Sequence, residues 1–295
     1  MGLVNSIFFV IMRMVIFMEY SPKKMQDLLD RNEFRLKKQF GQNFIVDENI
    51  INNIIASSEL DKDIMVIEIG PGAGSLTYKL AQSASNVLCY EIDTTLESVL
   101  KDNLKDLDNV DVVFKDFLKA DVKEDLKNYN FKKLYVVANL PYYITTPIIT
   151  KIIEDEIPVD KIVVMVQKEV GDRFKAQPNS KDYNSLSIYL NYYYEVSKLM
   201  DISRNIFIPK PNVDSIIVCF KKRNDKVLVN DEKLFFKLVR DAFTQKRKNL
   251  RNNLRGYDLD KIEQILKEMG LDLNVRAEAL SIEQFANISN GLSEK

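Results

Sequence analysis

The chain has 295 residues, of which 46% are hydrophobic and 29% charged, and its formal net charge is −1. This composition is ordinary for a folded globular protein, and the length is sufficient for one large core and one smaller core. A net charge this close to zero gives no overall attraction to nucleic acid, so any site for a polyanion must come from a local concentration of basic residues.

Two residue types that often carry catalysis or metal binding are scarce. Histidine is absent, which excludes His-based triads, His proton shuttles and the commonest metal ligand. Cys89 and Cys219 are the only cysteines, too few for a disulfide framework or a cysteine-based zinc site. We therefore expect no metal and no disulfide partner, and we expect the protein in the reducing environment of the cytoplasm.

Residues 1–20 form an atypical apolar extension. The apolar stretch Leu3–Met18 is too short and too interrupted by polar residues to span a bilayer. It also lacks the basic start and the small-residue cleavage site of a signal peptide. We interpret it as the product of a start placed too far upstream, with initiation at Met14 or Met18, and a membrane anchor is the alternative.

Short apolar strands then alternate with helical stretches. The residues ahead of the first strand, Lys23–Ser58, have a helical pattern with a break at Gly41. The predicted strands are Ile64–Gly70, Asn86–Ile92, Val110–Asp116, Leu134–Leu140 and Lys161–Val166. This alternation predicts a parallel, doubly wound sheet of the α/β class.

The last β-rich segments differ from the earlier ones because a short proline-containing connection joins them. They cover about Tyr193–Ser203 and Val213–Lys222, and the short connection predicts an antiparallel pair that closes one edge of the sheet. After Arg223 the sequence becomes charged and helix-periodic. We therefore predict an α/β domain over residues 21–224 and a small all-helical domain over residues 225–295.

The first strand ends in a glycine-rich turn, Ile67-Glu68-Ile69-Gly70-Pro71-Gly72-Ala73-Gly74. Glycines let the backbone turn tightly and approach a ligand at the carboxyl edge of the sheet. A plain strand-to-helix turn is one alternative, and a NAD site is another. The spacing of Gly70, Gly72 and Gly74 is not the dinucleotide spacing G-x-G-x-x-G, so we favour a different nucleoside cofactor.

Acidic residues follow the next two strands at the same edge. Glu91 ends the second strand, where the ribose diol of a bound nucleoside would lie. Asp116 ends the third strand and offers a carboxylate to an adenine amino group. Either acid alone is more often a solvated strand end, but together with the glycine turn they predict a single site.

The fourth strand ends in Asn139-Leu140-Pro141-Tyr142. An adenine N6 is a weak nucleophile because its lone pair is delocalised into the ring. An asparagine oxygen and a backbone carbonyl can accept hydrogen bonds from its two N–H groups. This favours a pyramidal, more nucleophilic nitrogen. Pro141 fixes the backbone that aims the carbonyl, and Tyr142 offers a stacking face to a base drawn out of its helix. The alternative is a strand that merely ends at a proline.

At these motifs the chain closely resembles the KsgA/RsmA group of ribosomal RNA adenine N6-dimethyltransferases, from about Lys37 to Asn290. The residues that carry the resemblance are Gly41-Gln42-Asn43-Phe44, the Gly70–Gly74 turn, Glu91-Ile92-Asp93, Asn139–Tyr142, the segment Phe207-x-Pro209-x-Pro211-x-Val213-x-Ser215, and Ala242–Lys248. The resemblance implies a Rossmann-like, seven-strand methyltransferase domain that depends on S-adenosyl-L-methionine (SAM), followed by a small C-terminal helical domain.

The resemblance also implies a set of site residues and a target. The residues that it places around SAM are Asn43, Ile45, Gly70, Glu91, Asp116 and Asn139. The implied target is a pair of adjacent adenosines in the hairpin near the 3′ end of small-subunit (16S) rRNA, within a ribosomal subunit or an assembly intermediate. We expect the protein to act as a monomer. Phe207 is implied as the second face of an aromatic sandwich around the flipped adenine, and edge packing is the alternative.

The Erm group, which methylates large-subunit rRNA, resembles the chain through the same Asn-x-Pro-Tyr motif. Its members more typically carry Ser at the positions of Gly41 and Pro71, Ile at Leu140 and Asp at Pro147, so these positions favour the KsgA/RsmA group. Tyr143 departs from that group, which usually has Asn there. A DNA adenine methylase and a non-catalytic ribosome-assembly factor are further alternatives.

One C-terminal helix is predicted to carry a cationic stripe. At 3.6 residues per turn, the stripe falls within an arc of roughly 100° beside an apolar arc that would pack inward. Its members are Arg240, Arg247, Lys248, Arg251 and Arg255. The residues that we predict to bind the RNA backbone are Lys246, Arg247, Lys248, Arg251 and Arg255. A solvated charged face is the alternative.

Overall fold

A computed structural model of the chain describes residues 22–32, 34 and 43–293. The N-terminal extension, Gly41 and Gln42 lie outside the described residues. In chain order the strands are β1 (Phe44–Ile45), β2 (Ile64–Ile69), β3 (Asn86–Glu91), β4 (Val110–Phe114), β5 (Lys133–Asn139), β6 (Lys161–Gln167), β7 (Tyr194–Ile202), β8 (Phe207–Ile208) and β9 (Ser215–Lys222).

The helices alternate with these strands and then continue alone. They are α1 (Pro22–Arg31), α2 (Glu48–Ser58), α3 (Ser75–Ser83), α4 (Glu97–Leu104), α5 (Val122–Leu126), α6 (Thr145–Glu154), α7 (Lys168–Phe174), α8 (Ser185–Tyr193), α9 (Glu232–Ala242), α10 (Leu250–Asn253), α11 (Leu259–Glu268) and α12 (Ile282–Ser293). None of the helices in these ranges is long and apolar enough to cross a bilayer.

Seven strands form one sheet in the order β4-β3-β2-β5-β6-β9-β7. Strands β2 to β6 are parallel, whereas β9 is antiparallel to both of its neighbours, β6 and β7. The predicted parallel sheet and its antiparallel edge pair are therefore confirmed. Because every side chain of β2 is buried, the sheet must be covered on both faces, as the mainly apolar sequence of this strand indicates.

Successive residues of each central strand belong to different cores. Val66 packs in a cluster with α1 to α4, whereas Met65 and Ile67 pack on the opposite face with α5 to α8. This alternation follows from the two-residue period of a strand. Because these strands run parallel, their carboxyl ends lie at one edge of the sheet, and the predicted ligand residues meet there.

The prediction of helix over Lys23–Ser58 is wrong in its middle part. Phe44 and Ile45 form β1, which pairs antiparallel with β8 through Phe44↔Ile208 and Ile45↔Phe207. Helix α2 begins only after Asp47, whose side chain accepts hydrogen bonds from the backbone N–H groups of the first turn. The helical assignments on either side, α1 and α2, are confirmed.

A third core lies among the C-terminal helices. Phe235, Ile262 and Phe285 from α9, α11 and α12 are fully buried in it, and so is Ile188 from α8. The predicted division between residues 224 and 225 stays a prediction, because α8 contributes to this core from before that point. In the part of the chain that is described after Lys222, the elements are helices and turns only.

The predicted continuous helix through Arg240 and Arg255 is wrong. Helix α9 ends at Ala242, and a turn leads to α10, where the side chain of Asn249 accepts a hydrogen bond from the Asn252 backbone N–H. An asparagine stabilises a helix start better than a helix interior, which explains the break. Leu250 and Leu254, which belong to the predicted apolar arc, are nevertheless fully buried, whereas Phe243 of the same arc is partly buried.

Candidate active site and cofactor cavity

A cavity of about 970 Å³, including its open mouth, lies at the carboxyl ends of the parallel strands. Its walls come from the glycine turn after β2, the residues that follow β3 and β4, the end of β5, and β1. The predicted site residues that line it are Asn43, Ile45, Gly70, Gly72, Glu91, Asp116, Asn139, Leu140, Pro141 and Tyr142.

The glycine turn is held in a conformation that other residues rarely adopt. Gly70 has a φ of 72° and Gly72 a φ of 59°. A Cβ on Gly72 would stand only 2.8 Å from the Phe44 ring. Glycine is therefore required here both for the backbone conformation and for the close approach of β1.

Glu91 presents a nearly buried carboxylate to the cavity. Only 5% of its surface is exposed, and its oxygens accept hydrogen bonds from the backbone N–H of Gly72 at 3.2 Å and of Asp93 at 2.9 Å. Burial raises the pKa of Glu91, and these two N–H donors act against that shift. The group joins the glycine turn to the end of β3 and retains acceptor capacity for a ligand hydroxyl.

Glu68 is a cavity residue that the sequence reasoning did not single out. It lies on β2, lines the cavity and is 1% exposed. Burial raises its pKa to about 8, against a hydrogen bond from the Cys89 thiol at 3.8 Å that lowers it. The carboxyl is therefore largely protonated at neutral pH. The sequence feature that could have pointed to Glu68 is a glutamate within the otherwise apolar stretch Ile64–Ile69.

Asp116 lies at the other side of the cavity, after β4. Its carboxylate accepts a hydrogen bond from the Leu118 backbone N–H at 3.0 Å and lies 3.9 Å from the Lys119 ammonium. These contacts fix the carboxylate at the start of a short 3₁₀ turn. One face of it remains open toward the cavity, where it can accept from an amino group.

Asn139 ends β5 with an oriented amide. Its Nδ2 donates a hydrogen bond to the main-chain carbonyl oxygen of Asn43 at 3.0 Å. An amide nitrogen that donates in one direction leaves the oxygen of the same group directed elsewhere. Asn139 lines the cavity, so its Oδ1 is left to accept from a ligand there, and Asn43, which precedes β1, holds the amide in place.

The residues after Asn139 form a tight turn. The Pro141 carbonyl oxygen accepts hydrogen bonds from the Ile144 N–H and the Thr145 hydroxyl, both at 3.2 Å. The Tyr142 hydroxyl lies 2.8 Å from the hydroxyl of Ser215, which is fully buried at the start of β9. Burial raises the pKa of Tyr142, so the phenol remains neutral at physiological pH. The hydrogen bond to Ser215 holds the ring in place.

Gly74 and Phe207 are not at the cavity, contrary to the sequence-based prediction. A Cβ on Gly74 would come within 3.1 to 3.3 Å of Asn103, Leu100 and Leu104, so this glycine allows close packing against α4. Phe207 is 2% exposed and packs in the core, where its strand pairs with Ile45. Phe207 therefore supports the cavity wall from behind and presents no free ring face.

The predicted RNA-binding side chains are all exposed. They are Lys246, Arg247, Lys248, Arg251 and Arg255. Arg251 lies 3.4 Å from the carboxylate of Glu263, and Lys246 donates to the main-chain carbonyl of Lys181. Among the residues that are described, Arg247 and Lys248 have neither an ion-pair partner nor a side-chain hydrogen bond, whereas Arg255 donates to the side-chain oxygen of Asn252. Arg247 and Lys248 are therefore the better candidates for phosphate contacts.

The chain is similar to a known family over most of its length. The sequence model of the family described as ribosomal RNA adenine dimethylase matches residues 33–294. Proteins named ribosomal RNA small subunit methyltransferase A from Staphylococcus aureus are 48% identical over 277 residues, which is 91% of this chain and 93% of the relative.

Two solved structures have the same fold over most of the chain. A dimethyladenosine transferase from Plasmodium falciparum superposes with a TM-score of 0.70 and 25% identity, covering 83% of this chain and 95% of that one. The 23S rRNA methyltransferase ErmE superposes with a TM-score of 0.68 and 27% identity, covering 85% of this chain and all of that one.

Proposed function

The chain belongs to the ribosomal RNA adenine dimethylase family, and we propose that it transfers methyl groups from SAM to N6 of two adjacent adenosines in the 3′-terminal hairpin of 16S rRNA. The observation that carries this proposal is the hydrogen bond from Asn139 to the Asn43 carbonyl. It directs an amide oxygen into the cavity at the end of β5, where an adenine amino group can donate to it.

The cavity residues fit SAM, which is a nucleoside joined to an amino acid. Glu91 and Asp116 supply carboxylates at successive strand ends, and the turn at Gly70 and Gly72 places main chain in the cavity wall. We assign the ribose hydroxyls to Glu91 and the adenine amino group to Asp116. SAM supplies an electrophilic methyl group carried on a sulfonium sulfur.

The protein's own part in the reaction is to position the target amine. Asn139 Oδ1 and the Leu140 carbonyl accept hydrogen bonds from the two N–H groups of N6. The lone pair then stays on N6 instead of being delocalised into the ring, which makes N6 a better nucleophile. Because a nitrogen that has gained a methyl group loses its proton readily, no side chain has to act as a base before attack. Positioning of this kind suits a chain without histidine.

The target base is held by stacking rather than by acid–base chemistry. The Tyr142 ring lines the cavity, and its hydroxyl is bound to Ser215. Stacking of a flipped base on an aromatic side chain contributes about 1–3 kcal/mol. A second methyl transfer requires only that the same space also admits the monomethylated amine.

The choice of small-subunit RNA rests on the relatives and on the motif positions. The Staphylococcus aureus proteins named for the small subunit are 48% identical to this chain, whereas ErmE is 27% identical. The residues Pro71, Leu140 and Pro147 are also those typical of the KsgA/RsmA group at these positions. Exposed Arg247 and Lys248 would contact the RNA backbone.

The protein is further inferred to act as a monomer in the cytoplasm, on rRNA within a ribosomal subunit or an assembly intermediate. Both cysteines are buried free thiols, which suits a reducing compartment.

The direct test uses radiolabelled SAM and two substrates, small subunits that lack the modification and protein-free large-subunit RNA. Mapping of the labelled nucleosides should find N6,N6-dimethyladenosine at two adjacent positions of the 3′ hairpin. Label only in large-subunit RNA would indicate an Erm-type activity, and SAM binding without any label would indicate an assembly factor.

A further inference from the structure

Tyr143 is the exposed aromatic residue among those that line the cavity, and the proposed function gives it no task. It follows Tyr142 directly and lines the same cavity, yet 57% of its surface is exposed. Tyr142 is fixed by Ser215, whereas the Tyr143 hydroxyl has no hydrogen-bond partner among the described residues and its ring packs against no other described ring. Its side chain is therefore able to move at the cavity mouth.

Ile92 is a second exposed apolar residue at this mouth. It follows β3, lines the cavity and is 46% exposed. The other strongly exposed large apolar side chains of the described chain, Leu199, Val213 and Leu228, do not line the cavity. Two apolar side chains left in water at a cavity mouth indicate a surface that a bound ligand covers.

Tyr143 lines the same cavity as Asp116 and Glu91, and Ile92 directly follows Glu91 in the chain. Burial raises the pKa of Tyr143, and the negative charges of these two carboxylates raise it further. Those two carboxylates are the groups assigned above to the adenine and ribose of the cofactor. Tyr143 therefore stands beside the adenosine half of the cavity, in reach of the same ligand.

We propose that Tyr143 and Ile92 form a clamp over the adenosine half of SAM, and that the Tyr143 ring closes over this half when the cofactor binds. The identity of the ligand rests on the proposed function. Covering the nucleoside with a flat aromatic ring buries apolar surface and excludes water from the carboxylate contacts beneath it. The clamp also slows the dissociation of S-adenosylhomocysteine, the demethylated product.

Calorimetric titration of the full chain with S-adenosylhomocysteine tests this clamp. Tyr143→Ala should weaken binding about tenfold, the equivalent of about 1.4 kcal/mol. Tyr143→Phe keeps the ring and should bind like the wild type. Methylthioadenosine, which lacks the amino-acid half, should lose the same factor in Tyr143→Ala. Leu199→Ala, an exposed apolar position on β7, is the matched control and should change nothing.

A second measurement separates the cofactor from RNA as the partner of Tyr143. In the absence of cofactor, filter binding of a synthetic 3′-hairpin RNA should give the same affinity for the wild type and Tyr143→Ala. Unchanged S-adenosylhomocysteine affinity in Tyr143→Ala, or a loss confined to RNA affinity, would overturn the clamp. A wild type that binds S-adenosylhomocysteine tightly but methylates no rRNA would overturn the proposed function alone and leave the clamp standing.

Discussion

The Asn139 side-chain nitrogen lies 3.0 Å from the Asn43 carbonyl oxygen, a contact between residues 96 positions apart in the chain. Asn139 ends a central strand, and Asn43 precedes the two-residue strand β1, which itself is held by β8. The orientation of the amide therefore depends on a small antiparallel pair outside the main sheet. Strands β5, β1 and β8 therefore act together to set the position of the Asn139 Oδ1 acceptor.

Tyr142 and Ser215 should be energetically coupled through the hydrogen bond between their hydroxyls. Ser215→Ala should reduce the free energy of unfolding by about 0.5–1.5 kcal/mol, the usual contribution of such a bond, and reduce methyl transfer only a few-fold. Tyr142→Phe should behave alike, whereas Tyr142→Ala should lose the stacking energy as well. A double-mutant cycle with Ser215→Ala and Tyr142→Phe measures the coupling. Additive losses would mean that the bond does not form.

Glu91→Ala should weaken SAM binding because the variant removes an acceptor for the ribose hydroxyls. A hydrogen bond to a charged group contributes about 1.5–3 kcal/mol, so the dissociation constant should rise roughly ten- to a hundredfold. Calorimetry measures this change. Asp61→Ala, an exposed carboxylate before β2, provides a control that should bind normally. Normal affinity in a folded Glu91→Ala protein would remove Glu91 from the cofactor site.

Glu68 should make the stability of the protein depend on pH. Its pKa is about 8 in the folded protein and 4.5 in the unfolded chain, so the folded state holds more protons between these values. Stability should therefore fall as pH rises from about 5 to 8 and level off above that. Each pKa unit corresponds to about 1.4 kcal/mol, which makes the effect a few kcal/mol at most.

Glu68→Gln separates this effect from the other titrating groups. The amide has nearly the same shape and no charge, so the variant should gain stability relative to the wild type as pH rises through the same window. Denaturant titrations at pH 5.5, 7 and 8.5 follow the difference. A constant difference across these conditions would show that Glu68 is already ionised or already exposed.

Arg247→Ala with Lys248→Ala should weaken RNA binding and reduce its dependence on salt. Each phosphate contact that is lost should lower the slope of log affinity against log salt by about 1. Arg251→Ala should have a smaller effect, because Glu263 lies 3.4 Å from Arg251 and competes with RNA for it. Filter binding from 50 to 300 mM salt checks both variants, and equal slopes would indicate that this face is only solvated.

The sequence predicts the sheet well because strand patterns are local. The buried runs at β2 and β5 and the alternating helices define a parallel sheet, and the short connection before β9 defines its antiparallel edge. The pairing of β1 with β8 was not predictable in this way. Each strand has two residues, and the partners are separated by most of the α/β region, so no periodicity records the contact.

The site residues show the same division between local and long-range information. The motif positions Gly70, Glu91 and Asn139 reach one cavity because strand ends converge. Phe207 was misplaced because its burial depends on β1, which the sequence pattern does not reveal. The cationic helix was misjudged because helical periodicity continues through Asn249, a residue that in this context begins a new helix.

The most direct test of the account is the rate of a single methyl transfer in Asn139→Ala, measured with enzyme saturated with labelled SAM and with unmodified small subunits. If Asn139 Oδ1 orients the amine, the rate should fall about a hundred- to a thousandfold, as is typical when one preorganised hydrogen-bonding group is removed. The far-ultraviolet spectrum should stay native, and the affinity for S-adenosylhomocysteine should fall only moderately. A rate within a few-fold of the wild type, with cofactor and RNA bound, would contradict the central role of Asn139.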